Sequence, residues 1–210
     1  ILSLAKSDPN LELLLKKGTK IDFKQQISRC LKVLSESHLL LKFMSISIVP
    51  DLELEAFFSS LRKEILFSIS DIKRDSNALS VLSALALHCF TNEYVYFESN
   101  EEALLVSALE RNLRDKAARG LRSWANELLC LATYLPLSSL KWIYATDIEH
   151  LPHDVRNRLI NEPLMERDIA NSIPCLATIS QETSQKVRQQ YEENPYPRWM
   201  YTQLKDKPIS

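Results

Sequence analysis

Glycine is nearly missing: Gly18 and Gly120 are the only two in 210 residues, where ordinary usage of about 7% would supply about fifteen. Glycine turns the chain through left-handed backbone and lets a phosphate approach the main chain closely. Neither G-x-G-x-x-G nor G-x-x-x-x-G-K-[ST] occurs, which excludes those routes to a dinucleotide or a nucleoside triphosphate. The chain also lacks C-x-x-C. Its four cysteines, Cys30, Cys89, Cys130 and Cys175, are widely spaced, so neither a zinc site nor a small disulfide framework is signalled. They read as reduced core thiols of a cytoplasmic protein. Excess charge is missing too: 26 Lys and Arg against 27 Asp and Glu leave a net charge of −1. That balance offers no general field for a polynucleotide, so nucleic acid is not an expected partner. No run of 18 or more uncharged apolar residues exists, and Ile1 opens without the basic and apolar regions of a signal peptide. A membrane is therefore not expected as a partner, and the chain reads as a piece of something longer.

What is present is helical spacing, nearly throughout. Ser7 or Asp8, Pro9 and Gly18 bracket one short predicted helix. Phe23, Ile27, Cys30, Leu31 and Leu34 form a single stripe. The stretch from Ser37 to Asp51 is less periodic, and its Ile46, Ile48 and Val49 suit either a buried helix or an extended piece ending at Pro50. Asp51 then caps a long helix with Leu54, Phe57, Phe58, Leu61, Ile65 and Leu66 on its apolar side and Arg62, Lys63 and Glu64 assigned to the opposite one. Leu79, Leu82, Leu85, Ala86 and Cys89 mark the next. Aromatic and β-branched residues from Phe90 to Phe97 interrupt the pattern before Ser99 or Asn100 caps a helix running towards Arg114. Leu121, Trp124, Leu128, Leu131 and Ala132 precede a stop at Pro136, and residues 138–145 give one more short helix. Beyond 145, Pro152, Pro163 and Pro174 divide the chain into small segments.

No stretch alternates with period two for long, and Asn-Gly and Asp-Gly turns are absent. The prediction is an all-α chain of roughly nine or ten helices, an irregular multi-helix bundle or a non-repeating stack of helical hairpins. A 34-residue tetratricopeptide period is not found among these residues. Residues 1–180 are expected to form one helical domain and 181–210 a linker helix followed by an extended strap.

Three places could carry chemistry. Asp147, Glu149, His150, His153 and Asp154 gather around Pro152, which spoils the regular spacing a helical metal site needs, and H-E-x-x-H is absent. A polar turn is the expected reading, with no metal and no catalytic set assigned; His88 and Cys89, near an apolar face, read as packed. Arg111, Arg114 and Arg122, with Lys116 and Arg119 nearby, exceed Glu110 and Asp115 locally and could meet an anion or an acidic partner, though an Asp115–Arg119 pair also suits a solvated face. The tail is the third. Val187 and Tyr191 give a helix from about 181 a narrow apolar edge, and Asn194 and Tyr196, each before a proline, are pushed towards polyproline II. Tyr196 and Trp199 then project from one side with Arg198 between them. P-x-x-P and P-P-x-Y are absent, so an SH3 or WW ligand is a weak reading.

The segment "VRQQYEENPYPRW", residues 187–199, resembles the stretch preceding the catalytic domain in bacterial multidomain proteins that join tetratricopeptide repeats to a class I S-adenosylmethionine-dependent methyltransferase. Residues 85–102, with Cys89, Phe90, Asn92, Glu93, Tyr94 and Val95, resemble a Cys-Phe-x-Asn-Glu-Tyr-Val segment of their helical region, and residues 51–66 an earlier helix. The resemblance implies a helical accessory domain that positions a protein or other substrate for an attached methyltransferase domain. S-adenosylmethionine would bind that following domain, because its glycine motif is not in these residues. Tyr191, Asn194, Tyr196, Arg198 and Trp199 would then dock on the catalytic domain and help close its pocket. Two other readings are a stand-alone helical interaction scaffold and a metal-dependent helical enzyme built on residues 147–154.

Overall fold

Helical periodicity becomes helix wherever a cap and an apolar face coincide. The computed structural model describes residues 23–121 and 124–174, together with 12, 185–188 and 190. Eight α-helices follow one another from Phe23 to Ser172: α1 Phe23–Glu36, α2 His38–Ile46, α3 Leu52–Ser68, α4 Ser76–Thr91, α5 Asn100–Ala118, α6 Ala125–Leu131, α7 His153–Arg156 and α8 Glu162–Ser172. No strand occurs among the described residues, so the fold class is all-α. The short helix predicted over 138–145 is instead a pair of 3-10 turns, Leu137–Ser139 and Lys141–Ala145. The helix predicted near Ser7 to Gly18 lies outside the described residues, apart from Glu12.

Caps set the boundaries. Asp51 and Asp75 accept the backbone N–H of Leu54 and Ala78, each at 3.0 Å, opening α3 and α4. At α5, Ser99 and Glu102 form a reciprocal capping box, which satisfies two amide donors that a helix start would leave bare. The ambiguous stretch after Ser37 resolves into a helix and then extended backbone at its C-cap, Ser47.

The chain divides into two compact units, Ile1–Arg167 and Asp168–Ser210. In the first, α4 is the hub: Ala78, Val81, Leu82 and every residue from Ala84 to Cys89 are buried. A helix apolar on all sides must sit inside its neighbours, and α4 contacts α1, α2, α6, α7 and the turn after α7. The α3 helix packs on α1, α5 and α6, and α5 on α3 and α6. Between α7 and α8 the chain passes through a π turn, Asn157–Asn161, in which Glu162 N–H reaches the Asn157 carbonyl five residues back. Pro163 follows at once. A proline lacks an N–H and its ring collides with the carbonyl four residues earlier, and the widened turn removes that collision. Arg158 on this turn donates to the Ser45 carbonyl and, at 3.0 Å, to Thr91 Oγ1, bringing a cation to the C-terminal ends of α2 and α4.

Arg62 corrects the sequence reading. It is 1% exposed rather than on a solvated face. Its partners, described below, come from distant parts of the chain.

The ends of α4 and α5 share one motif. After α5, Gly120 at φ 68° donates to the Ala117 carbonyl and Leu121 to that of Lys116. After α4, Glu93 at φ 61° donates to the Phe90 carbonyl and Tyr94, itself at φ 57°, to that of Cys89. Both are Schellman closures, yet the second puts side chains where a left-handed backbone costs a non-glycine residue about 1–2 kcal/mol. Exchange of chemistry between the two sites is therefore expected to have opposite signs. Glu93→Gly should raise stability by about 0.5–1 kcal/mol in urea unfolding, and Gly120→Ala should lower it by about 1 kcal/mol. An added Cβ at Gly120 would meet nothing within 4 Å, so that loss measures backbone strain rather than collision.

Candidate functional site

The described residues place a groove on the outer side of α5. Val106, Ser107, Glu110, Arg111 and Arg114 follow the i, i+4, i+8 spacing of one helical face, and Leu135 and Leu140 close the far wall. The hollow measures about 580 Å³, within the roughly 300–1,000 Å³ typical of ligand pockets. Two hydrogen bonds cross from α5 to the far wall. Tyr134 OH donates to Glu102 Oε1 at 2.9 Å, and Trp142 Nε1 donates to Glu110 Oε1 at 2.8 Å. Glu102 and Glu110 are two turns apart on α5, or about 12 Å, so the segment carrying Leu135 and Leu140 is tied to α5 one turn before the groove and again at Glu110 within it.

The sequence-predicted arginines separate into described and undescribed ones. Arg111 and Arg114 both line the groove, whereas Arg122 lies outside the described residues. Arg111 Nε donates to the Ser107 carbonyl at 3.3 Å, which orients its guanidinium along the helix. Arg114 Nη1 sits 3.9 Å from Glu110 Oε1, the same oxygen that takes the indole proton. Glu110 thus accepts one hydrogen bond and faces one guanidinium charge, and the lining carries two guanidinium groups against one carboxylate. The contribution of Leu135, Leu140 and Trp142 was not predicted. A signal existed: Pro136 cannot continue a helix, so apolar residues on either side of it can turn towards α5.

Behind the groove lies a buried polar cluster centred on Arg62. Its Nη2 donates to the Phe97 carbonyl at 2.8 Å and lies 3.9 Å from Glu102 Oε1, while its carbon Cζ stands 4.2 Å above the Tyr134 ring and 5.6 Å from that of Tyr96. Burial pushes the Glu102 carboxyl upward, but the Ser99 N–H at 3.0 Å, the Ser99 hydroxyl at 2.7 Å, the Tyr134 hydroxyl and the Arg62 charge prevail and hold it below the usual range. Burial raises both the Tyr134 and the Tyr96 phenols well above normal, so both remain protonated donors.

His88 belongs to the same interior. Its Nε2 lies 2.7 Å from Tyr96 OH and 3.4 Å from Asn92 Nδ2, which joins the ring to the end of α4 and the loop after it. The Phe58 ring meets it edge-on at 5.2 Å. Burial pushes the imidazole down to about 4, against a smaller upward influence from the Ser47 backbone. Cys30, Cys89 and Cys130 are buried free thiols, each raised by burial, Cys89 to about 12. These thiols are held protonated, far from nucleophilic thiolates.

Residues 147–154 do not converge. His150 packs edge-on against Trp124 with ring centroids 5.2 Å apart, while the exposed His153 starts α7, with Nδ1 3.6 Å from Asp154. Among the described residues no group of three or more His, Cys, Asp or Glu side chains is placed to hold a metal ion. No helix among them is long and apolar enough to cross a membrane. Tyr191, Asn194, Tyr196, Arg198 and Trp199, the predicted docking residues of the tail, all lie outside the described residues. No protein-family model matches the chain, and neither a curated protein nor a solved structure does.

The buried histidine makes stability depend on pH. A folded-state value near 4 against about 6.5 unfolded means the unfolded chain binds the extra proton first. Stability from this group is complete above pH 6.5, falls as the pH drops, and is lost by pH 4, a change of roughly 3 kcal/mol. Glu102, depressed in the fold, acts in the same direction at lower pH. Urea unfolding from pH 7 to 4 should show this loss, and His88→Asn should flatten it. A pH-independent wild type would contradict the buried neutral imidazole.

Proposed function

We propose that this chain is a helical accessory domain of an S-adenosylmethionine-dependent methyltransferase, positioning a substrate or partner for a catalytic domain attached to it. The observation that carries this reading is the ordered series of three sequence resemblances between residues 51 and 199, the last being "VRQQYEENPYPRW". The middle one coincides with the left-handed turn at Glu93 and Tyr94 and with the buried Tyr96. A segment with that geometry has a physical reason to keep its residue order.

Cofactor chemistry belongs to the other domain. Gly120, the one glycine among the described residues, ends a helix facing open space, so no glycine-rich cradle is formed there. Val106, Leu135 and Leu140 beside Arg111 and Arg114 supply a surface suited to holding another molecule rather than transforming it. A second reading, a stand-alone interaction scaffold, draws on this same groove and needs no catalytic neighbour.

In the accessory-domain reading the aromatic strap docks on the catalytic domain through Tyr191, Asn194, Tyr196, Arg198 and Trp199 and helps close its pocket. Calorimetric titration of S-adenosylmethionine into a chain carrying both domains tests this directly. Tyr191→Ala and Trp199→Ala should each weaken binding by about tenfold, equivalent to about 1.4 kcal/mol. Unchanged affinity in correctly folded variants would exclude the docking role.

A further inference from the structure

We propose that the α5 groove is the docking site for an acidic, amphipathic segment of a partner protein, with apolar side chains entering at Val106, Leu135 and Leu140 and carboxylates meeting Arg111 and Arg114. This inference goes beyond the accessory-domain reading and makes no use of the tail.

Shape comes first. The two walls are tied together by hydrogen bonds, Tyr134 to Glu102 one turn before the groove and Trp142 to Glu110 within it, so a ligand does not have to create it. Pre-formed concave surfaces avoid the ordering cost that otherwise weakens association. Its length of about two helical turns matches the i, i+3, i+7 anchor spacing of a helix lying in a groove.

Charge selects the partner's sign. Among the described residues the one carboxylate lining the groove is Glu110, and its Oε1 already accepts from the Trp142 indole and lies 3.9 Å from Arg114. Arg111 is exposed, and its Nε contact to Ser107 leaves the planar end of the guanidinium for a carboxylate in fork geometry. A cationic segment would face both arginines and gain nothing from Glu110.

Polarity also sets spacing. Val106 lies nearer the start of α5 and Arg114 nearer its end, so the partner's apolar anchors and its carboxylates are separated by about one to two helical turns, 5–12 Å, along α5. A chain segment satisfies that separation more readily than a compact organic acid.

The test uses the 210-residue chain and a short helical peptide with leucines at i, i+3 and i+7 and glutamates on the following turn. A matched peptide with lysines for glutamates, and decanoate as a small amphiphilic carboxylate, complete the set. Binding is read by nuclear magnetic resonance from the Trp142 indole N–H, which is bonded to the lining residue Glu110. The glutamate peptide should shift that resonance and bind at least about tenfold more tightly than the lysine peptide. Arg111→Glu combined with Arg114→Glu should reverse the preference while leaving the melting temperature close to wild type, since both side chains lie at the surface. Equal binding of the two peptides, an unmoved Trp142 signal, or indifference to the double substitution would overturn the proposal. Saturation of the same signal by decanoate at lower concentration than the peptide would also overturn it, in favour of a small-molecule site. None of these outcomes depends on S-adenosylmethionine binding, so failure here is separable from failure of the methyltransferase reading.

Discussion

One guanidinium group at 1% exposure organises the first unit. Arg62 carries a charge that cannot be left unpaired in an apolar interior, so the chain must deliver acceptors to it from afar. It draws the Phe97 carbonyl from the loop after α4, the Glu102 carboxylate from α5, and the Tyr134 ring from the segment after α6. Three parts of the chain, α3, the stretch from Phe97 to Glu102 and the segment at Tyr134, thereby acquire a common reference point. A buried ion pair of this kind is not a strong source of net stability, because desolvation offsets much of its attraction. Its effect is geometric: other packings of the same helices would strand the charge.

That geometry reaches the groove through two residues. Glu102 sits one helical turn before Val106 on α5, and Tyr134 precedes Leu135 on the facing wall, so the hydrogen bond between them ties the two walls together just before the groove. The capping box that holds Glu102 also fixes where α5 begins, and hence where Arg111 and Arg114 fall along it. The same cluster holds the loop after α4 from inside. Arg62 grips the Phe97 carbonyl and His88 meets the Tyr96 hydroxyl, while the Phe97 side chain stays 81% exposed. The left-handed backbone at Glu93 and Tyr94 persists because these buried contacts over-determine the turn.

Much of the fold was legible because it is local. Asp51 announced one helix start and Ser99 or Asn100 another, since caps act within a few residues, whereas the stop read at Pro136 came late, because α6 already ends at Leu131. Arg62 was misread for the opposite reason. Charge suggested solvent, yet Phe58, Arg62 and Leu66 stand at i, i+4 and i+8, so spacing alone already set it on the apolar face. What resolved the conflict were partners 35 and 71 residues away, the Phe97 and Thr133 carbonyls, which periodicity cannot reach. Arg111 and Arg114 were found as a charge excess on one helix, but their groove needed Leu135 and Leu140 from another segment. The 3-10 turns at 137–145 arose where a helix was expected, because the chain there bends to bring Trp142 to Glu110. The tail's aromatic residues remain a matter of sequence, since they lie outside the described residues.

Arg62 and Glu102 act as one unit tying the loop, α5 and the segment at Tyr134 together. A double-mutant cycle in urea unfolding with Arg62→Met and Glu102→Gln measures their coupling. Each single change should cost about 3–5 kcal/mol, since a buried charge is stranded, and the double variant should be less damaged than their sum by about 2 kcal/mol. Losses that add to within about 0.5 kcal/mol would show two independent side chains and contradict the claim.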